Sequence, residues 1–334
     1  MVKVDLITGF LGSGKTTFIR KYAKYLMDEG NNIGILENDY GAVNVDMMLL
    51  QDLMGDNCEL EMISGGCDKD CHRRRFKTKL IAMGMCGYDR VIVEPSGIFD
   101  LDEFFDILHE EPLNRWYEIG NVIGIVDSKL ESDLSEEADF ILASEVADAG
   151  CIVMSKSQDA SPEEIQGTIA HVNQALEKVH CSRRFCCEMD DVDTVNIIHK
   201  NWEEMSKEEF DRIASCGYAM ASYRKPEFEA EDAFTSLYFM NVKMTEKELR
   251  EATEKILSDP ECGRVFRMKG FMRVDDGDGI SGKSVQTEKN GKKWIELNAT
   301  KNEITIRPLH VGQEVLIVIG EDLQEEKIKS YLKI

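Results

Sequence analysis

The residues best suited to chemistry form a glycine-rich run near the start of the chain. Positions 9–17 read Gly-Phe-Leu-Gly-Ser-Gly-Lys-Thr-Thr, which fits the pattern G-x-x-x-x-G-K-[ST], and they follow a strand pattern and open a helical one. Glycines let backbone N–H groups close around phosphate oxygens, and a helix start adds free N–H donors and the positive end of the helix dipole. The run therefore predicts a binding loop for the phosphates of a nucleoside triphosphate.

The polar residues of this run have separate expected tasks. Lys15 should reach the β- and γ-phosphates, the Thr16 hydroxyl should ligate Mg²⁺, and Thr17 should donate to the α-phosphate. A chance glycine-rich turn is the alternative, and the strand before the run and the helix after it argue against that. The residues predicted to contact the nucleotide here are Gly9, Gly12, Ser13, Gly14, Lys15, Thr16 and Thr17.

Carboxylates at two further strand ends complete the predicted phosphate site. The apolar run at 91–93 ends in Glu94, which we expect to hold Mg²⁺ through water or to orient the attacking water, and Gly97 should bring a backbone N–H near the γ-phosphate. Glu37 and Asp39 follow another apolar run and are expected near Mg²⁺, where the loop they begin could be released on hydrolysis. A plain strand-to-turn junction and a solvated acidic turn are the alternatives. The predicted catalytic residues are Lys15, Glu94 and Asp39.

The elements that must position these residues alternate along the first two hundred positions. Short runs rich in Val and Ile indicate strands buried on both faces, and amphipathic stretches between them indicate helices, which predicts an α/β fold with a doubly wound, mainly parallel sheet. The predicted strands are 4–7, 33–36, 90–93, 122–126 and 151–154, and the predicted helices are 15–29, 71–86, 100–110, 136–148 and 162–179.

The pattern changes in the last hundred residues. A chain of 334 residues exceeds the size at which one core usually stops growing, so two domains are expected. We predict a P-loop nucleotide-binding domain at 1–216, a linker at 217–232 and a smaller α+β C-terminal domain at 233–334. In the last of these, the predicted strands are 236–243, 264–274, 293–298, 303–307 and 314–320, with a helix capped by Thr245 and Glu248 and a closing helix at 323–333.

The charge balance excludes some classes of partner. The chain has 40 Lys and Arg against 63 Asp and Glu, a formal net charge of −23, and such a surface repels nucleic-acid phosphates and anionic lipid. No apolar run approaches the roughly 20 residues that span a bilayer, and the charges at positions 3 and 5 do not suit a signal peptide. We therefore expect a cytoplasmic protein with reduced cysteines and with neither nucleic acid nor membrane as a partner.

Together these motifs resemble those of the CobW-type P-loop GTPases, the metallochaperone branch related to HypB and UreG. The resemblance implies a Mg²⁺-dependent switch that binds and slowly hydrolyses GTP and delivers a metal such as zinc or cobalt to a client metalloprotein. An ATP-using P-loop enzyme and a nucleotide-gated adaptor without a metal site are the alternatives, and a homodimer is left open. The segments that carry the resemblance are 9–17, 37–41 with Asp46, 94–97, 155–156, 267–271 and 318–320.

The family's metal motif is altered in this chain. The family usually carries Gly-Cys-x-Cys-Cys after the switch segment, whereas positions 66–72 read Gly-Cys-Asp-Lys-Asp-Cys-His, so only Cys67 falls on a motif cysteine. Ala42 stands where the family commonly has a glutamate.

A transient zinc or cobalt site could still form here. Cys67, Cys71 and His72 are ligand types that these metals prefer, and Glu37 could be a fourth ligand. The alternative is that Cys71 packs at a helix start while His72 faces water beside the basic run 73–75.

The motif that reads the base is altered as well. Such GTPases usually read guanine with Asn-Lys-x-Asp, and the corresponding residues are Ser155, Lys156, Ser157 and Gln158. The Lys156 stem can cover a purine face, but the neutral Gln158 offers one amide oxygen, and Asp159 is one residue further on. The loss of one charge-assisted bond would cost roughly 1–3 kcal/mol of guanine preference. GTP remains the expected nucleotide, with ATP as the alternative, and Ser155, Lys156 and Gln158 are the predicted base-site residues.

Overall fold

The computed structural model describes residues 1–39, 45–64, 69–95, 101–186, 197–224, 234–275, 292–309, 312 and 314–334. The chain divides into two units, Met1–Glu227 and Phe228–Ile334, each with a sheet of its own. The division falls within the predicted linker 217–232. Residues 217–224 hydrogen-bond to the first unit, for example through Gly217 O to Val122 N at 3.0 Å, and the rest of the linker lies outside the described residues.

The first unit contains a parallel sheet, as the sequence predicts. Its strands are β1 Val2–Thr8, β2 Ile33–Asp39, β3 Cys58–Ser64, β4 Arg90–Glu94, β5 Tyr117–Asp127, β6 Cys151–Ser155 and β7 Ile197–Ile198. They are ordered β3-β2-β4-β1-β5-β6-β7, and every pairing between neighbours is parallel. The five predicted strands are confirmed, and β3 and β7 were missed. Because the strands run the same way, their carboxyl ends share one edge, where ligands of such sheets bind.

Eight helices of the described part of the first unit connect these strands. They are α1 Lys15–Asp28, α2 Val45–Leu50, α3 Lys69–Gly84, α4 Leu101–His109, α5 Leu113–Trp116, α6 Glu136–Ala147, α7 Pro162–Lys178 and α8 Lys207–Ile213. The five predicted helices are confirmed to within two residues at each end, and α2, α5 and α8 were missed. Local capping fixes three of the starts: Ser135 caps α6, Ser161 and Glu164 form a capping box on α7, and Ser206 and Glu209 form one on α8.

One face of the sheet and α1 enclose an apolar core. Ile7, Ile35 and Ile92 from three neighbouring strands pack with Phe18 and Tyr22 of α1, and all five side chains are fully buried. Burial of each such side chain contributes roughly 1.5–3 kcal/mol. The phosphate-binding run, which joins β1 to α1, is therefore held between two well-packed elements.

A buried polar network around Asp5, in the middle of β1, fixes the orientation of α1. Asp5, which is fully buried, accepts from Tyr22 at 2.8 Å, from Arg90 at 2.5 Å and from the amide of Asn121 at 2.8 Å. Removing one partner of such a buried ionic group typically costs about 3–5 kcal/mol. The network ties α1 to β4 and β5 and so holds the direction in which its N-terminus points.

In its described part, the second unit has an antiparallel sheet covered by two helices, which agrees with the predicted α+β class. Its strands are β8 Thr235–Phe239, β9 Arg264–Asp275, β10 Lys292–Thr300, β11 Glu303–Leu309 and β12 Val315–Glu321, and its helices are α9 Glu246–Ser258 and α10 Glu325–Leu332. The sheet order is β11-β10-β9-β12-β8. The predicted capping box of Thr245 and Glu248 is present at the start of α9. Apolar residues of the sheet and both helices share one core, which includes Leu249, Met268 and Ile328.

Within the described ranges, no helix has the length and apolar character needed to cross a membrane.

Candidate nucleotide-binding site

The phosphate-binding loop leaves β1 at the carboxyl edge of the sheet and ends at the first residue of α1. Three of its glycines have positive φ angles: 141° at Gly9, 77° at Gly12 and 98° at Gly14. A Cβ at Gly9 would lie 2.2 Å from the carbonyl oxygen of Ile125, which no side chain could tolerate. Glycine is therefore required at position 9 both by the backbone conformation and by the close approach of β5.

Lys15 closes this loop on itself. Its Nζ donates to the carbonyl oxygen of Gly9 at 2.7 Å, and the side chain is only 6% exposed. Ser13 lies within the same curve, and its buried hydroxyl has no hydrogen-bond partner among the described residues. An ammonium group and an unsatisfied hydroxyl in one concave loop fit the oxygens of a phosphate group. Thr17, on the first turn of α1, is exposed, as a donor to a bound ligand must be.

Hard oxygen donors lie beside the loop. The Thr16 hydroxyl donates to Oε1 of Glu94 at 3.3 Å, and both side chains are largely buried. Glu37 pairs in register with Glu94 across β2 and β4, so the two carboxylates belong to the same face of the sheet. A hydroxyl and carboxylates are the donor types that Mg²⁺ takes. The structure thus brings Thr16, which follows Lys15, into contact with Glu94, with Glu37 on the neighbouring strand, and the roles of these residues stay predictions.

Two predicted residues of the phosphate site lie outside this description. Asp39 is the last residue of β2, but the position of its side chain is not among the described ones. Gly97 lies outside the described residues altogether. Their roles stay predictions.

Glu145 of α6 contacts the loop and was not predicted. Its Oε2 accepts from the Gly9 N–H at 2.8 Å, its carbonyl oxygen accepts from the Thr8 hydroxyl at 2.6 Å, and the residue is 1% exposed. Burial raises the pKa of the Glu145 carboxyl to about 7, against the opposing effects of the Lys15 ammonium and the Gly9 N–H. The available signal was its spacing, four residues after Ile141, which places a carboxylate on the apolar stripe of a helix.

The predicted base-site residues follow β6. Ser155 ends the strand, Lys156 has a positive φ of 55°, and its Nζ bonds Oδ2 of Asp127 at 2.6 Å. The Gln158 amide donates to Asp159 at 2.8 Å, so these two side chains lie side by side in one short 3₁₀ turn. The structure therefore fixes Lys156 through Asp127, a residue at the end of β5 that the sequence did not single out.

The segment after β7 also reaches the phosphate-binding loop. The ring of Trp202 lies 3.5 Å from the position that a Cβ of Gly14 would take, and its indole N–H donates to the carbonyl of Met154 at 2.9 Å. The same ring meets Phe18 edge to face, with centroids 5.5 Å apart. Trp202 thus connects the loop, α1 and the end of β6, and no local motif in the sequence marks it.

The candidate transition-metal ligands are only partly described. His72 is 2% exposed, and burial together with the Arg75 guanidinium lowers its pKa. The interpretation in which His72 faces water is therefore wrong, because the start of α3 turns this side chain inward. Cys71 is half-buried, and Cys67 lies outside the described residues. Among the residues that are described, no three His, Cys, Asp or Glu side chains lie together as a metal site, so the prediction depends on Cys67.

The chain is similar to proteins of one family over its first unit. Residues 3–186 match the model of the CobW/HypB/UreG nucleotide-binding domain. The chain is 30% identical over 167 residues to the zinc chaperone YeiR of Escherichia coli, a match that covers 50% of each protein. It is 28% identical over 186 residues to the zinc chaperone YjiA of the same organism, covering 52% of this chain and 55% of that protein. The chain thus matches about half the length of these relatives.

Solved structures share less of the sequence. The zinc-bound YjiA GTPase from E. coli is 17% identical with a TM-score of 0.34, over 99% of this chain and 98% of that chain. The hydrogenase maturation factor HypB from Archaeoglobus fulgidus is 16% identical with a TM-score of 0.37, over 63% and 87%. With scores this low, the fold described above rests on this chain's own strand pairing.

Proposed function

The chain belongs to the CobW/HypB/UreG nucleotide-binding family, and on that premise we propose that it is a Mg²⁺-dependent switch that binds and hydrolyses GTP and hands a zinc- or cobalt-class metal ion to a client protein. The observation that carries the proposal is the closed loop in which Lys15 bonds Gly9 O at 2.7 Å, with the Thr16–Glu94 contact beside it. Both lie at the carboxyl edge of a parallel sheet, where nucleotides bind in such folds.

Phosphate binding follows from the charges of this loop. Lys15 must exchange its bond to Gly9 O for the β- and γ-phosphate oxygens, which are better partners because they carry charge. The backbone N–H groups at the start of α1 and the Ser13 hydroxyl add donors that are held in place before the ligand arrives. Since these donors need not reorganise, they can stabilise the negative charge that develops during phosphoryl transfer.

Thr16 and Glu94 would hold Mg²⁺, whose positive charge neutralises the phosphate oxygens when it is bound. We expect Glu94 to orient a water molecule as well, and its position at the end of a strand beside the loop and its burial support this role. Asp39 is proposed to assist from the neighbouring strand end. In this scheme hydrolysis depends on positioning and charge and is slow without the client.

The proposed base site lies at the turn after β6. The Lys156 stem would cover the purine, since Asp127 holds its ammonium group at 2.6 Å. Gln158 and Asp159 are linked by a hydrogen bond, so Asp159 could accept from guanine beside the amide oxygen of Gln158. Guanine can donate to these acceptors from N1 and N2, whereas adenine has an acceptor at N1 and no amino group at C2. This difference favours GTP over ATP.

The proposed cargo and client come from the relatives. YeiR and YjiA are zinc chaperones, and this chain carries Cys67, Cys71 and His72, which are ligand types that zinc prefers, in sequence between Glu37 and Glu94. A client metalloprotein would accept the ion when hydrolysis releases the segment that follows Glu37.

The test is calorimetric titration of GTPγS and ATPγS in the presence of Mg²⁺. We expect GTPγS to bind more tightly than ATPγS to the wild type, and Lys15→Ala to weaken GTPγS binding by roughly 10- to 100-fold because a charge-assisted bond worth about 1.5–3 kcal/mol is lost. Lys24→Ala, an exposed lysine of the same helix, is the matched control and should leave the affinity unchanged. Undiminished binding of both nucleotides by Lys15→Ala would refute the proposed phosphate site, and tighter ATPγS binding would refute the choice of base.

A further inference from the structure

A buried carboxyl group, that of Glu145, is hydrogen-bonded to the first residue of the phosphate-binding loop. Glu145 lies on α6, 136 residues from Gly9 in sequence, yet its Oε2 accepts from the Gly9 N–H at 2.8 Å. The Thr8 hydroxyl donates to its carbonyl oxygen at 2.6 Å and also lies 3.4 Å from the carbonyl of Ile123. The first two residues of the loop entry are therefore anchored to a single residue of α6.

Among the residues that the structure describes, one opposite charge acts on this carboxyl group. The Lys15 ammonium acts on it and the Gly9 N–H donates to it, while the Thr8 hydroxyl bonds the backbone carbonyl of Glu145 and not the carboxyl group. The other carboxyl oxygen, Oε1, is buried and has no hydrogen-bond partner among the described residues. A carboxylate in such a place is costly unless a cation remains near it or it takes up a proton.

We propose that Glu145 is a positioning residue of the nucleotide site, which holds the Gly9 amide and couples nucleotide binding to the uptake of one proton. The inference rests on the proposed function, since it requires that a nucleoside triphosphate binds at this loop. Glu145 does not touch the nucleotide and acts through Gly9 and Lys15.

The coupling follows from what Lys15 must do. Without nucleotide, the Lys15 ammonium donates to the carbonyl oxygen of Gly9, and the N–H of Gly9 donates to Glu145. The cation and the carboxylate are therefore both bonded to the backbone of Gly9. A triphosphate offsets the charge of the ammonium and, even with Mg²⁺ bound, leaves net negative charge nearby. The carboxylate then loses its compensation inside a site from which water is excluded, and a proton from the buffer converts it to a carboxylic acid. Either form can accept the Gly9 N–H, so the anchor is kept.

Calorimetry tests the proton directly. GTPγS with Mg²⁺ is titrated in Tris and in Hepes, whose ionisation enthalpies differ, at several pH values between about 6.5 and 8.5. We expect the wild type to take up a substantial fraction of one proton and its affinity to fall as the pH rises above about 7, by up to tenfold per pH unit. Glu145→Gln should retain binding, since the amide oxygen still accepts from Gly9, but show no uptake and a flatter pH profile.

Two further measurements separate the possible outcomes. Glu136→Gln makes the same chemical change at an exposed position of the same helix and should behave as the wild type. Infrared difference spectra of the wild type should gain a carboxylic-acid C=O band on addition of GTPγS, and this requires no variant to fold. Equal proton uptake in wild type and Glu145→Gln, or absence of that band, would overturn the inference while the proposed function stands. A wild type that binds no nucleotide at any pH would overturn both.

Discussion

The phosphate-binding loop shows how single residues serve the folded protein before any ligand arrives. Lys15 bonds Gly9 O, Glu145 accepts from Gly9 N, and Ile125 O leaves no room for a Cβ at this position. Gly9 is thus held through both its amide and its carbonyl. The bond of the Gly9 amide to Glu145 can remain when Lys15 leaves Gly9 O for a phosphate oxygen, so the ligand finds the backbone donors already arranged.

Glu145 should make stability depend on pH. Burial raises its pKa to about 7, above the value of an exposed glutamate, so the folded protein keeps a proton that the unfolded chain releases at lower pH. The contribution of Glu145 to the free energy of unfolding is therefore lost as the pH rises from about 4.5 to 7. Glutamine does not titrate, so the variant Glu145→Gln should escape this loss. Relative to the wild type, and without nucleotide, we expect its free energy of unfolding to be about 2–3 kcal/mol higher at pH 8 than it is at pH 5.

Thermal or urea denaturation of the two proteins at both pH values measures this difference. Glu136→Gln serves again as the exposed control. A gain that is the same at pH 5 and pH 8 would show that the carboxyl does not titrate in this range, and the raised pKa would then be wrong.

At the scale of elements, apolar runs and long amphipathic segments could be predicted, and most of the missed elements are short. The strand β3 is an exception, because its seven residues include Glu59 and Glu61 and form no apolar run. The strand β5 contains a continuous apolar run and the helix α7 shows its period over many residues, whereas β7 has two residues and α5 has four, too few for a pattern. The capping box of Thr245 and Glu248 was readable because its partners are three residues apart.

The same distinction applies to the site. Lys15 and Thr16 were predictable because the loop motif is local in sequence, and Glu94 because it ends an apolar strand. Glu145, Asp127 and the segment after β7 contribute through contacts between distant parts of the chain. Such contacts depend on how helices and strands pack together, and no spacing rule encodes them.

Trp202 shows what this segment adds and can report on it. Its ring lies against Gly14 and Phe18, and the Lys21–Glu203 ion pair at 2.7 Å ties its 3₁₀ turn to α1. When phosphates enter the loop, the electric field at the indole must change. We expect GTPγS to change the tryptophan fluorescence of the wild type, and Trp202→Phe to lose most of this change while it still binds the nucleotide, as measured by calorimetry.

The remaining tryptophans provide the control for this measurement. Trp116 ends α5 and Trp294 lies on β10 of the second unit, so neither is part of the described nucleotide site. Trp116→Phe should keep the full signal. An equal signal in Trp202→Phe and the wild type would mean that the segment after β7 does not sense the nucleotide.

At the scale of the molecule, the two proposed ligands are expected to influence each other. Glu37, a candidate ligand of the transition metal, pairs in register with Glu94, which contacts the Thr16 hydroxyl. The proposed transition-metal ligand Glu37 and the proposed Mg²⁺ ligand Glu94 are therefore direct neighbours on adjacent strands. A metal that restrains Glu37 alters the position and charge available to Glu94, and coupling of this kind typically amounts to about 5- to 150-fold in affinity.

We expect Zn²⁺ to change the Kd of GTPγS by roughly fivefold or more, and GTPγS to change the Kd of Zn²⁺ by the same factor, because linkage between two binding equilibria is reciprocal. Cys67→Ser/Cys71→Ser should weaken Zn²⁺ binding and abolish the coupling while GTPγS binding without Zn²⁺ is kept. Cys86→Ser, at an exposed cysteine beyond the end of α3, is the matched control.

Equal Zn²⁺ affinity in the double variant and the wild type would remove the proposed metal site. Normal Zn²⁺ affinity without any effect on GTPγS would instead leave a metal site that the nucleotide does not control, and delivery of the ion could not then be driven by hydrolysis.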